Sequence, residues 1–206
     1  MRLAIIAALG ACVGSARADD GPASSIGGGL TIRGATIGSA ASVGAGGFVD
    51  ATVRRGDLAL AGVASAQTAR LAIGDATPPV DGLLLTAGAA LRWTAGRFEP
   101  ERYGDRRYGI DLRLDLGAEL ESYAWDGGGR LTRPGVFVGA ATQFDFGRVS
   151  RRARGEVTIG LRLGLARPHT TAAVSRAACR GACTPTPAPV AYDAAWAIVL
   201  GGAWGR

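Results

Sequence analysis

Residues 108–122 read YGIDLRLDLGAELES, and this stretch decides the class of fold. Successive side chains of a β-strand point to opposite faces, so every second residue belongs to one row. The even-numbered row from residue 108 to residue 120 is apolar throughout, whereas the odd-numbered row is mostly charged. The apolar row is long enough to cross a bilayer, for which a tilted strand needs about 9–11 residues. The stretch therefore predicts one long strand with an apolar face and a charged face.

The same alternation recurs along the chain. It is clear at residues 83–95, 136–146, 157–165 and 192–204, and weaker at residues 30–37, 43–53 and 58–65. The 33 glycines of the 206 residues disfavour helices, because each Gly costs a helix about 1 kcal/mol relative to Ala. They lack the three-residue period of collagen. About eight strands joined by turns are therefore predicted.

The N-terminus has the features of a signal peptide. Arg2 gives a positive start, residues 3–13 are an apolar run, and residues 16–18 (ARA) have the small-x-small pattern of a cleavage site. We expect residues 1–18 to be removed on export, leaving residues 19–206 as one barrel domain. Two alternatives stay open: a lipobox at residues 9–12 that would lipidate Cys12, and a buried first element of a cytosolic protein.

Export and strand content together predict where the chain resides. No other stretch is long and apolar enough for a membrane helix, and lipid cannot satisfy the open edge of a sheet. The predicted fold is all-β, a closed antiparallel up-and-down transmembrane β-barrel of about eight strands in the outer membrane of a Gram-negative bacterium. The alternative is a soluble sandwich or barrel whose apolar faces point inward. Long apolar rows opposite rows rich in Gly, Ala and charge favour the transmembrane barrel.

In each strand, one row of side chains is predicted to face lipid and the other to face the barrel interior. The residues expected to face lipid are Tyr108, Ile110, Leu112, Leu114, Leu116, Leu120, Val157, Ile159, Leu161, Leu163, Trp196, Ile198, Leu200 and Trp204. The residues expected to form a charge network inside the barrel are Arg33, Asp50, Arg92, Asp111, Arg113, Asp115, Glu119, Asp145, Glu156, Arg162 and Asp193. An eight-stranded barrel is just wide enough for its own side chains, so we expect a plugged lumen.

Connection lengths support the same topology with both termini in the periplasm. Short connections are predicted at residues 54–57 and 147–152, one of middling length at residues 96–106, and longer ones at residues 66–82, 123–135 and 166–189. Outer-membrane barrels have short periplasmic turns and longer outer loops. The first connection, near residues 38–42, is short and does not follow this pattern.

Candidate chemistry is sparse. Cys179 and Cys183 predict a disulfide that closes a small loop, with a metal knuckle as the alternative. The one histidine, His169, has no adjacent nucleophile motif and is assigned to a loop. No cofactor or metal site is predicted. The net charge of +6 comes from arginines spread along the chain, which argues against nucleic-acid binding.

The chain resembles the small outer-membrane barrels of the OmpA/OmpX type. The resemblance rests on the signal peptide, the alternating strands and the final pattern Trp196-x-Ile198-x-Leu200-x-Gly202-x-Trp204, which is similar to the signal read by the barrel-assembly machinery. Family members usually end on the aromatic residue, whereas Gly205 and Arg206 follow here. The resemblance implies an outer-membrane barrel with outer-membrane lipid and the assembly machinery as partners. The function we expect is that of a non-enzymatic, monomeric barrel that serves envelope structure or surface interaction through its outer loops. A lipid-modifying enzyme and a soluble periplasmic ligand-binding barrel are the alternatives.

Overall fold

The structure, a computed structural model, describes residues 24–38, 40–72, 78–98, 106–126, 129–148, 154–167 and 192–205. The predictions for the signal peptide, Cys12, His169, Cys179 and Cys183 therefore lie outside the described residues. The described chain consists of strands. They are β1 Ser24–Ile37, β2 Ala40–Arg55, β3 Leu58–Thr68, β4 Arg70–Ala72, β5 Gly82–Phe98, β6 Arg106–Trp125, β7 Arg130–Arg148, β8 Arg154–Ala166 and β9 Asp193–Gly205.

The strands close into one antiparallel barrel. Strands β1, β2, β3, β5, β6, β7, β8 and β9 pair in this order, and β9 pairs with β1, so the barrel is closed. β3 and β4 pair with β2 in one continuous register that Ala69 interrupts, so together they occupy a single position. The prediction of an all-β, closed antiparallel barrel of eight strands is confirmed.

The register staggers the strands around the barrel. Following cross-strand partners once around the barrel from Ser25 leads to Ala35, ten residues further along the same strand. The partners on the way are Thr52, Ala61, Ala90, Gly117, Phe137, Gly164 and Ala195. A stagger of this kind tilts the strands by about 35–45° from the barrel axis. Tilted strands bring side chains that are far apart in sequence to the same level of the interior.

The two ends of the barrel differ. Ser24 and Gly205 lie at one end, which we call the terminal end, and the turn at Gly38 lies at the other, the loop end. Gly56 at the terminal end and Gly38 at the loop end have φ angles of 60° and 63°, as two-residue hairpin turns require. The short first connection is thus a tight turn at the loop end.

The strands at the loop end are longer than predicted. The segment at residues 123–135, predicted as a loop, contains the last cross-strand pairs of β6 and β7. β6 continues to Trp125, and β7 begins at Arg130. Likewise, β3 and β4 together extend to Ala72. Within the described residues, no helix is long and apolar enough to cross a membrane.

Because of Pro134, the start of β7 is not predicted from the sequence. Proline cannot donate to a sheet ladder, so its presence argues against a central strand. In the structure its carbonyl accepts a 3.0 Å hydrogen bond from the amide of Arg167, on the side where β8 ends at Ala166. The N–H and the carbonyl of a strand residue point to the same side, so the N–H that Pro134 lacks would face Arg167, one residue beyond the end of β8. Only a bond at the end of the ladder is lost.

Candidate functional site

The outside of the barrel is an apolar belt. Every side chain predicted to face lipid is exposed on this surface, for example Leu116 at 60%, Leu163 at 55% and Ile198 at 48%. The belt continues on the other strands, where Leu30 is 66% exposed and Leu91 is 49% exposed. The barrel thus has apolar side chains on its outside around its circumference.

The predicted charge network lies on the opposite, inward-facing rows. Buried there are Arg33, Arg92, Asp111, Arg113, Asp115, Glu156 and Asp193. The side chains of Asp50, Glu119 and Arg162 are 12%, 11% and 16% exposed, and Asp145 accepts a 2.8 Å hydrogen bond from the inward-facing Gln143. Together these side chains form two clusters at different levels of the lumen, with further pairs toward the terminal end.

The central cluster consists of Asp50, Arg92, Arg113, Asp115 and Arg162. Arg92 Nη1 lies 2.6 Å from Asp50 Oδ2, and its Nε lies 3.7 Å from Asp115 Oδ2. Arg113 Nε donates to Asp115 Oδ1 at 3.0 Å, and Arg162 Nη2 lies 4.0 Å from Asp115 Oδ2. Asp115 therefore sits among three guanidinium groups that come from three different strands. Such pairing compensates charges that are expensive to bury alone.

Further polar pairs lead from the central cluster toward the terminal end. Arg113 Nη1 donates to Gln143 Oε1 at 3.2 Å. Arg97 Nε donates to Asp111 Oδ1 at 3.1 Å. Each pair joins neighbouring strands, so the ladder of backbone hydrogen bonds is reinforced from inside.

The loop-end cluster consists of Arg33, Glu119, Glu121, Arg133 and Asp193. Arg33 Nη1 lies 2.7 Å from Glu119 Oε1, and its Nη2 pairs with Glu121. Arg133 Nε donates to Glu121 Oε2 at 2.7 Å, and its Nη1 pairs with Asp193. The cluster thereby joins β1, β6, β7 and β9 across the lumen.

Arg133 is the centre of this cluster and is fully buried, with 0% of its surface exposed. Besides its two carboxylate partners, it donates to the carbonyl oxygen of Thr36 at 3.3 and 3.4 Å. Its guanidinium also lies 5.5 Å from the ring centre of Tyr123, a distance typical of a cation–π contact. These partners compensate the charge of Arg133, which would be expensive to bury alone.

An apolar cap covers the loop-end cluster. Its members are Ile37, Ala40, Ala69, Leu71, Leu84, Tyr123, Trp125 and Leu131. Tyr123 and Trp125 stack with their ring centres 5.2 Å apart. The loop end of the lumen is therefore closed by an inward-facing apolar core, whereas the middle of the lumen is polar.

The predicted charge network did not include Glu121 or Arg133, and the apolar cap was not predicted. A signal for Glu121, Tyr123 and Trp125 was present, because the odd-numbered row of β6 simply continues through them. No such signal existed for Arg133, since Pro134 beside it favours a loop.

Side-chain packing fills the lumen between the two clusters. Phe137 lies 5% exposed between them, directly opposite Gly117, where an added Cβ would meet its ring at 2.3 Å. A glycine is thus required opposite this ring. Two cavities of about 30 Å³ each flank Arg162, lined by residues of the two clusters. A cavity of this size holds about one or two water molecules.

Within the described residues, no group of three or more His, Cys, Asp or Glu side chains is arranged to hold a metal ion. The carboxylates of the central and loop-end clusters are instead paired with guanidinium groups, as described for Asp115 and Glu121. This arrangement makes the lumen a compensated structural network of fixed charges.

Fold and interior define a class of protein: a small closed antiparallel β-barrel with an apolar outer belt and a packed, charged lumen. No protein-family model and no curated protein match the chain. Among solved structures it is similar to the crystal structure of Neisserial surface protein A (NspA), at 13% sequence identity and a TM-score of 0.49. The similarity covers 89% of this chain and 97% of that chain.

Proposed function

We propose that the chain is a non-enzymatic β-barrel of the Gram-negative outer membrane. In this proposal the apolar belt contacts lipid, the polar lumen is plugged, and the loop end faces the cell exterior. The barrel serves envelope structure or contacts other molecules at the surface through its loops.

One observation carries the proposal: the apolar rows face out on a barrel without edges, while the charges face in. In water, each exposed Leu or Ile would forgo about 1.5–3 kcal/mol of burial free energy. Soluble monomers rarely expose contiguous apolar surface beyond a few hundred Å². A belt around the whole circumference fits lipid, because lipid surrounds a barrel on all sides and a closed sheet leaves no backbone group unpaired there.

The height of the belt supports the same assignment. The outward row from Tyr108 to Leu120 rises by about 30 Å, given about 3.3 Å per residue and a tilt of about 40°. The hydrocarbon core of a bilayer is also about 30 Å thick. Above Leu120 the polarity of the two faces reverses: Thr132 lies on the outside and Leu131 on the inside. This reversal suits a part of the barrel that stands in water.

Packing of the lumen argues against the ligand-binding alternative. Pockets for small molecules usually measure about 300–1,000 Å³. The cavities within the described lumen that flank Arg162 measure about 30 Å³ each. A ligand of ordinary size would have to displace the buried ion pairs of the central cluster, at the cost of uncompensated charges.

Membrane fractionation and gel migration test the location. We expect the protein to remain in the outer-membrane fraction until detergent is added. Unheated samples should migrate differently from heated ones on a denaturing gel, because the closed hydrogen-bonded barrel resists unfolding by detergent. Recovery in the soluble fraction, together with identical migration of both samples, would overturn the proposal.

Recording in planar bilayers tests the plugged lumen. We expect no large steady conductance, because buried side chains occupy the lumen at the levels of Arg92 and Arg133. An open porin with 16 strands, whose wider lumen forms an aqueous channel, serves as the positive control. Steady open-channel steps from the folded protein would contradict the plug while leaving its membrane location intact.

A further inference from the structure

We propose that a small cavity under the apolar cap is a binding site for one water molecule. The water joins side chains from three strands, namely Arg33 of β1, Gln67 of β3 and Tyr123 of β6. This inference goes beyond the proposed function, because it concerns the interior of the barrel and holds whether lipid or detergent surrounds the belt.

Three buried polar atoms carry the proposal. Arg33 Nε, Gln67 Oε1 and Tyr123 Oη have no hydrogen-bond partner among the described residues, although 8%, 4% and 1% of the surfaces of these residues are exposed. Arg133 lies over the ring of Tyr123 but makes no hydrogen bond to its hydroxyl. A buried polar atom without a partner bears the full cost of its lost hydration, so native proteins usually provide one.

The neighbouring side chains use other atoms of the same residues. Arg33 pairs with Glu119 through Nη1 and with Glu121 through Nη2, which leaves its Nε. Gln67 donates from Nε2 to Ser65 Oγ at 2.7 Å, which leaves its Oε1. These contacts fix the two side chains in place, so their remaining polar atoms need a partner at a fixed position.

All three side chains line one cavity. It measures about 10 Å³, and its walls also include Ser42 and two members of the apolar cap, Ala69 and Leu84. A cavity needs about 10–15 Å³ and two to four polar partners to hold a water molecule. The cavity therefore has room for one water and is too small for a polyatomic ligand.

The hydrogen-bonding character of these atoms favours water over an ion. Arg33 Nε can only donate, Gln67 Oε1 can only accept, and the hydroxyl of Tyr123 can do both. A water molecule accepts from the guanidinium and donates to the amide oxygen at the same time. A cation would face the positive guanidinium, and an anion would face the amide oxygen, so each ion meets one unfavourable neighbour.

Water at this position completes a polar connection inside the barrel. The ion pairs of the loop-end cluster join β1, β6, β7 and β9. On β3 and β5, Gln67 bonds to Ser65, and Ser65 shares a 2.8 Å hydrogen bond with Thr86. The water links Arg33 of the cluster to Gln67, so one hydrogen-bonded network spans six strands.

A crystal structure of the folded protein in detergent, at a resolution that shows ordered water, tests the proposal. We expect a peak of electron density in the cavity at about 2.7–3.2 Å from Arg33 Nε, Gln67 Oε1 and Tyr123 Oη. Soaking the crystals in bromide distinguishes water from an anion, because bromide scatters anomalously. An empty cavity, or an anomalous bromide peak inside it, would overturn the proposal.

Tyr123→Phe tests the same site in solution. If a water bonds the hydroxyl, its removal should lower the folding equilibrium constant by about fivefold, which corresponds to one net hydrogen bond. A hydroxyl without any partner predicts the opposite, because its removal relieves an unsatisfied buried group, and an unchanged or raised constant would count against the water. Tyr108→Phe is the matched control on the same strand, where 41% exposure predicts a change below about twofold.

Gln67→Met shows whether the two side chains share the water. This substitution removes the acceptor, so adding Tyr123→Phe to it should lower the folding constant by less than about twofold, because residues that share a partner are not additive. A full fivefold effect in both backgrounds would contradict a shared water. Urea unfolding followed by tryptophan emission measures all these constants. The crystal structure needs no variant, so it decides the proposal even if a variant fails to fold.

Discussion

Replacing Arg133 by Met is expected to lower the free energy of unfolding by about 3–5 kcal/mol, the usual cost of breaking a buried ion pair by removing one partner. The guanidinium is fully buried and pairs with Glu121 and Asp193, whose side chains are 1% and 4% exposed. Without it, Asp193 loses its ion-pair partner, and Glu121 keeps only Arg33. Urea unfolding in phospholipid vesicles, followed by tryptophan emission, measures the change.

Arg130→Met is the matched control, because Arg130 lies on the same strand and is exposed. We expect this substitution to change the free energy of unfolding by no more than about 0.5 kcal/mol. Adding Asp193→Asn to Arg133→Met should restore part of the lost stability, because the carboxylate left without its ion-pair partner is then gone. A loss below about 1 kcal/mol for Arg133→Met alone would show that water reaches the loop-end cluster and replaces the guanidinium.

Leu114→Arg is expected to cost about 2–4 kcal/mol in a bilayer, as a charged residue does at the midplane of a barrel's lipid face. Leu114 is 44% exposed and lies midway along the outward row of β6. The measurement is again urea unfolding of the protein in phospholipid vesicles. The same substitution tests the location of the protein, because an exposed arginine costs almost nothing in water.

Ala124→Arg is the control for depth. Ala124 is exposed on the same strand and in the same outward row, but it lies beyond the apolar belt at the loop end. We expect a cost of about 0–1 kcal/mol there, the value near the membrane interface. Equal, small costs at both positions would mean that the belt is not in lipid, and the soluble barrel would then be the better description.

Both predictions depend on the same physical contrast. The interior holds charges only because its guanidinium groups find carboxylates nearby, and the exterior holds apolar side chains only if lipid replaces water. Arg133 probes the first condition and Leu114 probes the second. A barrel can satisfy one condition and fail the other, so the two variants report on separate properties.

The alternation of residues determined much of the fold in advance. A period of two assigns every residue of a strand to one of two faces, so the outward position of Leu112 or Ile159 follows from local sequence. The same rule assigned Asp111 and Arg162 to the lumen. Strands with a weak alternation were harder to predict. The glycines at residues 27–29 have no side chains to reveal an alternation, so β1 begins earlier than predicted.

The extent of the strands at the loop end could not be predicted from the alternation of residues. Pro134 argues for a loop, and only the neighbouring strand, which ends at Ala166, makes it acceptable within β7. The apolar cap was likewise missed, since the reversal of polarity above Leu120 breaks the rule that apolar rows face outward. Recognising it requires knowing that the strands continue past the belt.

The sequence by itself determined the kind of barrel, its approximate number of strands and the face on which each clear row lies, because these depend on periodicity within one strand. Only the tertiary structure decided which charges meet. The stagger of ten residues around the barrel brings Arg133 of β7 to Asp193 of β9 and to Thr36 of β1. Closure of the sheet sets that stagger, and no single strand records it.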